Sequence, residues 1–219
     1  MDTGISAEGK LYIVSAPSGA GKTSMLKQLI KRKPELKVSV SHTTRSSRPG
    51  EKHGVNYYFV SIDEFKQAIE DKAFFEHAEV FGNYYGTSKE TVQQQLDEGD
   101  DVILEIDWQG ARKVREQFSE VISIFILPPS RNDLESRLQD RQQDSDQVIQ
   151  ARMQEASEEM EHYHEYDYII INDDFEQAIN ELEAIFDSEN LRLEMQQQKH
   201  KSLLDELLGN GWDNGSEPI

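Results

Sequence analysis

The chain contains no cysteine in 219 residues, which excludes disulfides, thiolate metal sites and cysteine nucleophiles and fits a reducing cytoplasm. Positive charge is scarce as well. Lys and Arg number 23 against 42 Asp and Glu, a formal charge of −19, and a field of that sign repels DNA and RNA. Nucleic acid is therefore not an expected partner. Apolar runs of membrane-spanning length are missing, and the first ten residues show neither the basic cluster nor the apolar stretch of a leader peptide. Neither secretion nor a membrane anchor is expected. What is present, 36% hydrophobic and 30% charged residues, suits a soluble globular fold with one substantial core. An acidic field also repels nucleotides, so any phosphate site must gather its few basic residues locally and recruit a cation.

Residues 10–15 (KLYIVS) read as a short buried strand, and Met25, Leu26, Leu29 and Ile30 recur at helical spacing over residues 22–32. Pro34 ends that helix, and residues 38–42 resume an extended pattern. Residues 101–107 (DVILEID), 121–127 (VISIFIL) and 168–172 (YIIIN) are further strands, each apolar enough to be buried on both faces. Helical patterns separate them, which predicts a mostly parallel, five-stranded α/β sheet with ligands at the carboxyl ends of its strands. Two stretches fit this scheme poorly. Residues 41–91 carry aromatics, glycines and an arginine pair, as an inserted subdomain would. Residues 130–166 are polar and helical, with Arg137, Arg141 and Arg152, and read as a cover. Residues 175–208 are helical by pattern, and 209–219 form a tail.

Between the first strand and helix lies Ala16-Pro17-Ser18-Gly19-Ala20-Gly21-Lys22-Thr23. This is P-loop spacing, with alanine in place of the usual first glycine. Gly19 and Gly21 let backbone N–H groups turn around phosphate oxygens, the helix start adds partial positive charge, Lys22 reaches the β/γ-phosphates of ATP and Thr23 can ligate Mg²⁺. The bland reading is a glycine-rich turn, but the flanking strand and helix favour the phosphate loop. By itself the loop does not separate a kinase from a GTPase, an ATPase or a motor.

Ser41-His42-Thr43-Thr44-Arg45-Ser46-Ser47-Arg48 sets two arginines three apart, able to fork around a phosphate or simply to stand in solvent. Gly54-Val55-Asn56-Tyr57-Tyr58-Phe59, Phe75-Glu76-His77-Ala78, Gly82-Asn83-Tyr84-Tyr85-Gly86-Thr87 and Glu105-Ile106-Asp107-Trp108-Gln109-Gly110 follow in order, then Leu127-Pro128-Pro129-Ser130 and Asn172-Asp173-Asp174. With the P-loop, these segments resemble the guanylate kinases of bacteria over about residues 11–174.

That resemblance implies a P-loop nucleoside monophosphate kinase fold: a core of residues 9–40, 92–129 and 167–208, a GMP-binding subdomain of 41–91 and a lid of 130–166, within one domain of 9–190. It implies transfer of the γ-phosphate of ATP to GMP or dGMP, giving ADP and GDP, a step in guanine nucleotide supply. ATP would lie on residues 16–23, Arg137, Arg141 and Asn172. GMP would lie among Ser41, Arg45, Arg48, Tyr57, Glu76, Tyr85, Thr87 and Glu105, and Lys22, Arg45, Arg141 and Arg152 would stabilise the transfer. Thr23 and Asp107 are the expected Mg²⁺ residues, Asp107 also being readable as a helix cap. Guanine presents N1–H and N2–H₂ donors beside an O6 acceptor, which a carboxylate and a hydroxyl, Glu76 and Thr87, can match. Two places depart from the family pattern: Glu105 where aspartate is usual, and Asp140-Arg141-Gln142 where glycines often flank the arginine. A non-catalytic scaffold relative and a P-loop kinase of ribose phosphates are the competing readings. The intact Lys22 and Thr23 weigh against the first, and Glu76 with Thr87 against the second. Homo-oligomerisation is left open.

Overall fold

The computed structural model describes residues 9–80, 82–118, 120–139 and 146–209. Five parallel strands form the central sheet: β1 (Leu11–Ser15), β2 (Lys37–Val38), β7 (Val102–Glu105), β8 (Val121–Leu127) and β9 (Tyr168–Ile171), in the order β2-β7-β1-β8-β9. Alternation along β1 explains the layering. Tyr12 and Val14 face one side and pack with Met25 and Leu29 of α1 (Lys22–Arg32) and Ile179, Leu182 and Phe186 of α7 (Phe175–Asn190). Leu11 and Ile13 face the other side, against Val92 and Leu96 of α3 (Lys89–Asp97) and Ala111 and Val114 of α4 (Trp108–Arg115). Phe186 anchors the first layer, its ring centroid 4.3 Å from that of Tyr12.

The edge strand β9 departs from the expectation of burial on both faces. Ile170 is buried in the α7 layer, whereas Ile169 and Ile171 are 50% and 45% exposed. Only one face of this edge strand is covered, because the helices on the opposite side pack over β1 and β7. The extended pattern of residues 38–42 also divides between two sheets: β2 joins the central sheet, and β3 (His42–Thr43) opens a second one of order β4-β3-β6-β5, with β4 (Tyr58–Phe59), β5 (Phe74–Val80) and β6 (Asn83–Ser88). Between β4 and β5 runs α2 (Ile62–Glu70), started by a reciprocal capping box of Ser61 and Glu64.

After β8 come α5 (Arg131–Gln139) and α6 (Asp146–Met160), joined by a small apolar contact of Leu134 and Leu138 with Ala156. A 3₁₀ turn (Glu161–Glu165) leads into β9. The helical C-terminal stretch is three helices, α7, α8 (Leu193–Lys199) and α9 (Lys201–Leu207). Among the described residues no helix is long and apolar enough to cross a membrane.

Candidate active site

The carboxyl end of β1 delivers the chain into the loop of residues 16–21. Gly19 and Gly21 take φ of 92° and 101°, in the region that favours glycine. Ala16 takes no positive φ, so alanine fits there without strain. A Cβ on Gly21 would stand 2.5 Å from Nδ2 of Asn172, which makes the glycine obligatory on steric grounds too. Gly21 caps α1 with no side-chain hydrogen bond, and the first turn holds no acid. The helix start therefore presents its amides and partial positive charge to the cleft, as an anion site requires.

Lys22 Nζ stands 3.5 Å from the Ile106 carbonyl oxygen, just beyond the end of β7. Burial pushes its ammonium below the ordinary lysine value, while Glu105, Glu159 and Asp107 pull it back up. Three carboxylates thus converge on a single cation. Thr23 donates its hydroxyl to Oε1 of Glu105 at 2.6 Å. The longer acid at 105 reaches across to α1, and its described hydrogen bond is this one rather than one to Arg45. Asp107 caps α4, its Oδ1 accepting from Gly110 N at 2.7 Å.

A cleft of about 410 Å³ joins the two halves of the site, with Lys22 and Thr23 on one wall, Ser41 and Tyr57 on the other, and Glu105 between them. Arg45 lies over the Tyr57 ring, 5.5 Å from its centroid, and Tyr57 and Tyr85 meet edge to face at 6.0 Å. Glu51 fastens the Arg45 side chain and the Arg48 backbone. Glu51 accepts two bonds from Arg45 NH2, at 2.9 and 3.0 Å, and one from the Arg48 backbone at 2.7 Å. Arg45 and its hydrogen bond hold the Glu51 carboxyl below the usual carboxylate range.

Glu76 and Thr87 are register partners across β5 and β6. Thr87, buried, donates its hydroxyl to Glu76 Oε1 at 2.7 Å. Since a hydroxyl has one proton, Thr87 orients the carboxylate. Burial pushes Glu76 above the usual carboxylate range, opposed by Thr87 and Lys113. The half-buried Glu76 carboxylate has acceptor capacity beyond the one Thr87 bond.

From the other side the loop is gripped by α5, α6 and the end of β9. Asn172, buried, donates Nδ2 to Ala20 O at 2.7 Å, and Arg137 reaches Asn172 O at 3.0 Å and Ala20 O at 3.5 Å. Arg152 NH2 donates to Ser18 Oγ at 2.8 Å. Arg141 lies outside the described residues. Two acids that the sequence reading did not select also meet these groups: Glu51 on the arginine pair, and Glu159, which accepts from Ser18 N. Adjacency to Arg48 through Pro49-Gly50 is a local signal for Glu51. Glu159 has none, since it sits in a run of acids on a polar helix.

The 3₁₀ turn behind α6 is fastened to α4. Arg112 grips Glu165 with two bonds, of 2.7 and 2.5 Å, and the His162 ring stacks on Trp108 at 3.5 Å. Arg112 first, then His162, draws the Glu165 pKa down from 4.5 to about 2. A pKa lower in the folded than in the unfolded chain contributes stability above about pH 4.5, and that contribution disappears as pH falls through about 2. Glu165→Gln should therefore lower the thermal midpoint by a constant amount at neutral pH, with the gap to wild type closing toward pH 2.

The chain's likeness to known proteins accords with this geometry. The family model for guanylate kinase matches residues 8–189. The guanylate kinase of Salmonella typhimurium is 57% identical over 204 residues, 92% of this chain and 99% of that protein, and the Escherichia coli protein of the same name is 56% identical over the same span. The crystal structure of guanylate kinase from Anaplasma phagocytophilum superposes with a TM-score of 0.69 at 33% identity, covering 89% of this chain and 97% of the other. The chain belongs to the guanylate kinase family, and its reaction is the phosphorylation of GMP by ATP to give GDP.

Proposed function

We propose that the cleft holds ATP on the wall of Lys22 and Thr23 and GMP on the wall of Ser41 and Tyr57, with transfer across the space between them. The observation that carries this division is the cleft itself, which brings the phosphate loop and the hydroxyl-bearing wall of the second sheet to one volume of about 410 Å³. Residues 41–91 act as the GMP-binding unit and residues 130–166 as the lid, on a core of 9–40, 92–129 and 167–208.

On the acceptor side, Glu76 takes the N1–H and N2–H₂ donors of guanine, completing the partnership that Thr87 alone leaves open. Adenine would set its N1 lone pair against that carboxylate. Arg45, Arg48, Ser41, Tyr57 and Tyr85 bind the GMP phosphate, and Glu51 holds the Arg45 side chain and the Arg48 backbone in place for it. These contacts reach base and phosphate and leave the 2′ position of the sugar unread, so dGMP is accepted too.

On the donor side, the amides of Gly19, Ala20, Gly21 and Lys22 surround the phosphates, with Pro17 and Ser18 shaping the loop. The attacking GMP oxygen is already anionic, so no strong base is needed, and the chain's task is to hold two anions together while charge spreads over the transferring group. Lys22, Arg45 and Arg152 do this, with Arg137 and Asn172 fixing the loop and Arg141 assigned to the same cage by family likeness. Thr23 and Glu105 place two hard oxygens 2.6 Å apart beside Lys22, a donor set that fits Mg²⁺. Among the described residues no cluster of three or more acids or histidines could hold a metal, so such an ion takes its other ligands from phosphate and water. Thr23, Glu105 and, on the same strand end, Asp107 would hold it. When bound, Mg²⁺ neutralises charge on the phosphate oxygens. A cysteine-free chain that presents no membrane-spanning helix among its described residues suits a cytoplasmic enzyme.

An assay of wild-type protein with ATP and GMP, dGMP or ribose 5-phosphate is expected to give phosphoryl transfer to both guanine nucleotides and none to the sugar phosphate. Transfer to ribose 5-phosphate at a comparable rate would overturn the assignment of Glu76.

A further inference from the structure

Ser18 lies within the phosphate loop, and its backbone N–H donates to Oε2 of Glu159 at 3.2 Å, across 141 positions of sequence. Glu159 sits in the last turn of α6, on the same helix face as Arg152 seven residues earlier. Arg152 holds the hydroxyl of the same serine at 2.8 Å. One face of α6 therefore meets Ser18 with an anion on its amide and a cation on its side chain. An acidic partner is unexpected there, because a phosphate loop offers its N–H groups to phosphate oxygen.

We propose that Glu159 is an internal placeholder for an ATP phosphate: its carboxylate occupies a phosphate-loop amide before ATP arrives, keeps α6 and Arg152 seated on the loop, and gives the amide up when ATP binds. This rests on the reading of residues 16–23 as the ATP loop.

Three observations support it. A carboxylate oxygen and a phosphate oxygen make the same kind of acceptor, so they compete for one N–H. The same helix face brings Arg152 to the Ser18 hydroxyl, so seating the carboxylate on the amide seats that cation on the loop as well. Finally, it holds this place against a desolvation penalty. Burial, then Glu155 and Asp107, pushes its carboxyl above the usual range, while the Ser18 amide and Lys22 oppose this. A single acid held against that penalty yields to a polyanion that brings several charges and its own cation. The placeholder keeps a phosphate-loop donor paired and the lid in register at the expense of ATP affinity.

Removing the carboxylate removes both a competitor for Ser18 N–H and a negative charge beside the incoming triphosphate. In the full chain, with Mg²⁺ and without GMP, calorimetric titration of Glu159→Ala is expected to show ATP binding roughly tenfold tighter than wild type. Glu159→Gln, which keeps an acceptor oxygen but loses the charge, should fall between the two, and it controls for misfolding of the alanine variant. Titration with GMP alone should be unchanged in both. The Ser18 amide should exchange its hydrogen faster in Glu159→Ala than in wild type, a change that a role confined to lid stability elsewhere would not produce. Unchanged or weaker ATP binding in both variants, with wild type binding ATP normally, would overturn the placeholder and leave the ATP loop intact. A wild-type chain that binds no ATP would overturn the loop reading and the placeholder together.

Discussion

Replacing Lys22 with alanine is expected to lower kcat by about 10²–10³-fold while GMP affinity stays within about twofold of wild type. The asymmetry follows from where Lys22 stands. Its Nζ projects from the start of α1 to the Ile106 carbonyl, and Lys22 lines the cleft with Thr23 and Glu105. Among the described residues no other lysine lines that cleft. Glu105, Glu159 and Asp107 all act on it, so alanine would leave three carboxylates facing the incoming triphosphate without their cation. Charge that develops during transfer would lose its nearest stabiliser, and the KM for ATP should rise as well. The side proposed for GMP is built from other elements, β3 to β6 and the loop of Arg45, and should be left untouched. Initial rates combined with calorimetric titration of GMP separate the two effects. Turnover within threefold of wild type would remove Lys22 from the chemistry.

The second large effect belongs to Glu76. Glu76→Gln should weaken GMP binding by roughly 10²-fold or more, because an amide can turn only one acceptor toward two guanine donors and sets its own N–H₂ against them. Stability should not fall in parallel. The carboxyl is pushed above its ordinary range by burial, so a neutral isostere is relieved of that penalty, and Thr87 keeps an oxygen to donate to. Loss of GMP binding together with an unchanged or raised thermal midpoint is the expected pair of results from titration and thermal unfolding. GMP binding at wild-type strength would show that guanine is read elsewhere.

Much of this site was legible in the sequence where its chemistry is local. The strand, loop and helix around residues 16–23 follow from a buried β-rich run, two glycines and apolar residues at helical spacing, and α1 spans residues 22–32 as that spacing predicts. Glu76 and Thr87 were named together as a carboxylate and a hydroxyl. What the sequence could not state was that Thr87 would spend its proton on Glu76, since that depends on cross-strand register. Glu105 shows the same limit: its extra methylene was visible, but its bond to Thr23 is set by the distance between β7 and α1. The half-exposed face of β9 was misread because an apolar run such as YIII carries no mark of whether a helix covers it on one side or both. The break of the C-terminal helix at Leu191 and Arg192 lacks glycine or proline and so left no local signal. Glu159 was hardest of all to find, because in a chain with 42 acids one more on a polar helix reads as solvated surface.

The central claim is that the proposed acceptor site, through Glu76, reads guanine. It is tested most directly by giving the wild-type protein equal amounts of GMP and AMP together with ATP labelled at the γ-phosphate, and following where the label goes. The account predicts labelled GDP, with no labelled ADP formed from AMP until GMP is nearly exhausted. Label entering AMP as fast as GMP would contradict it.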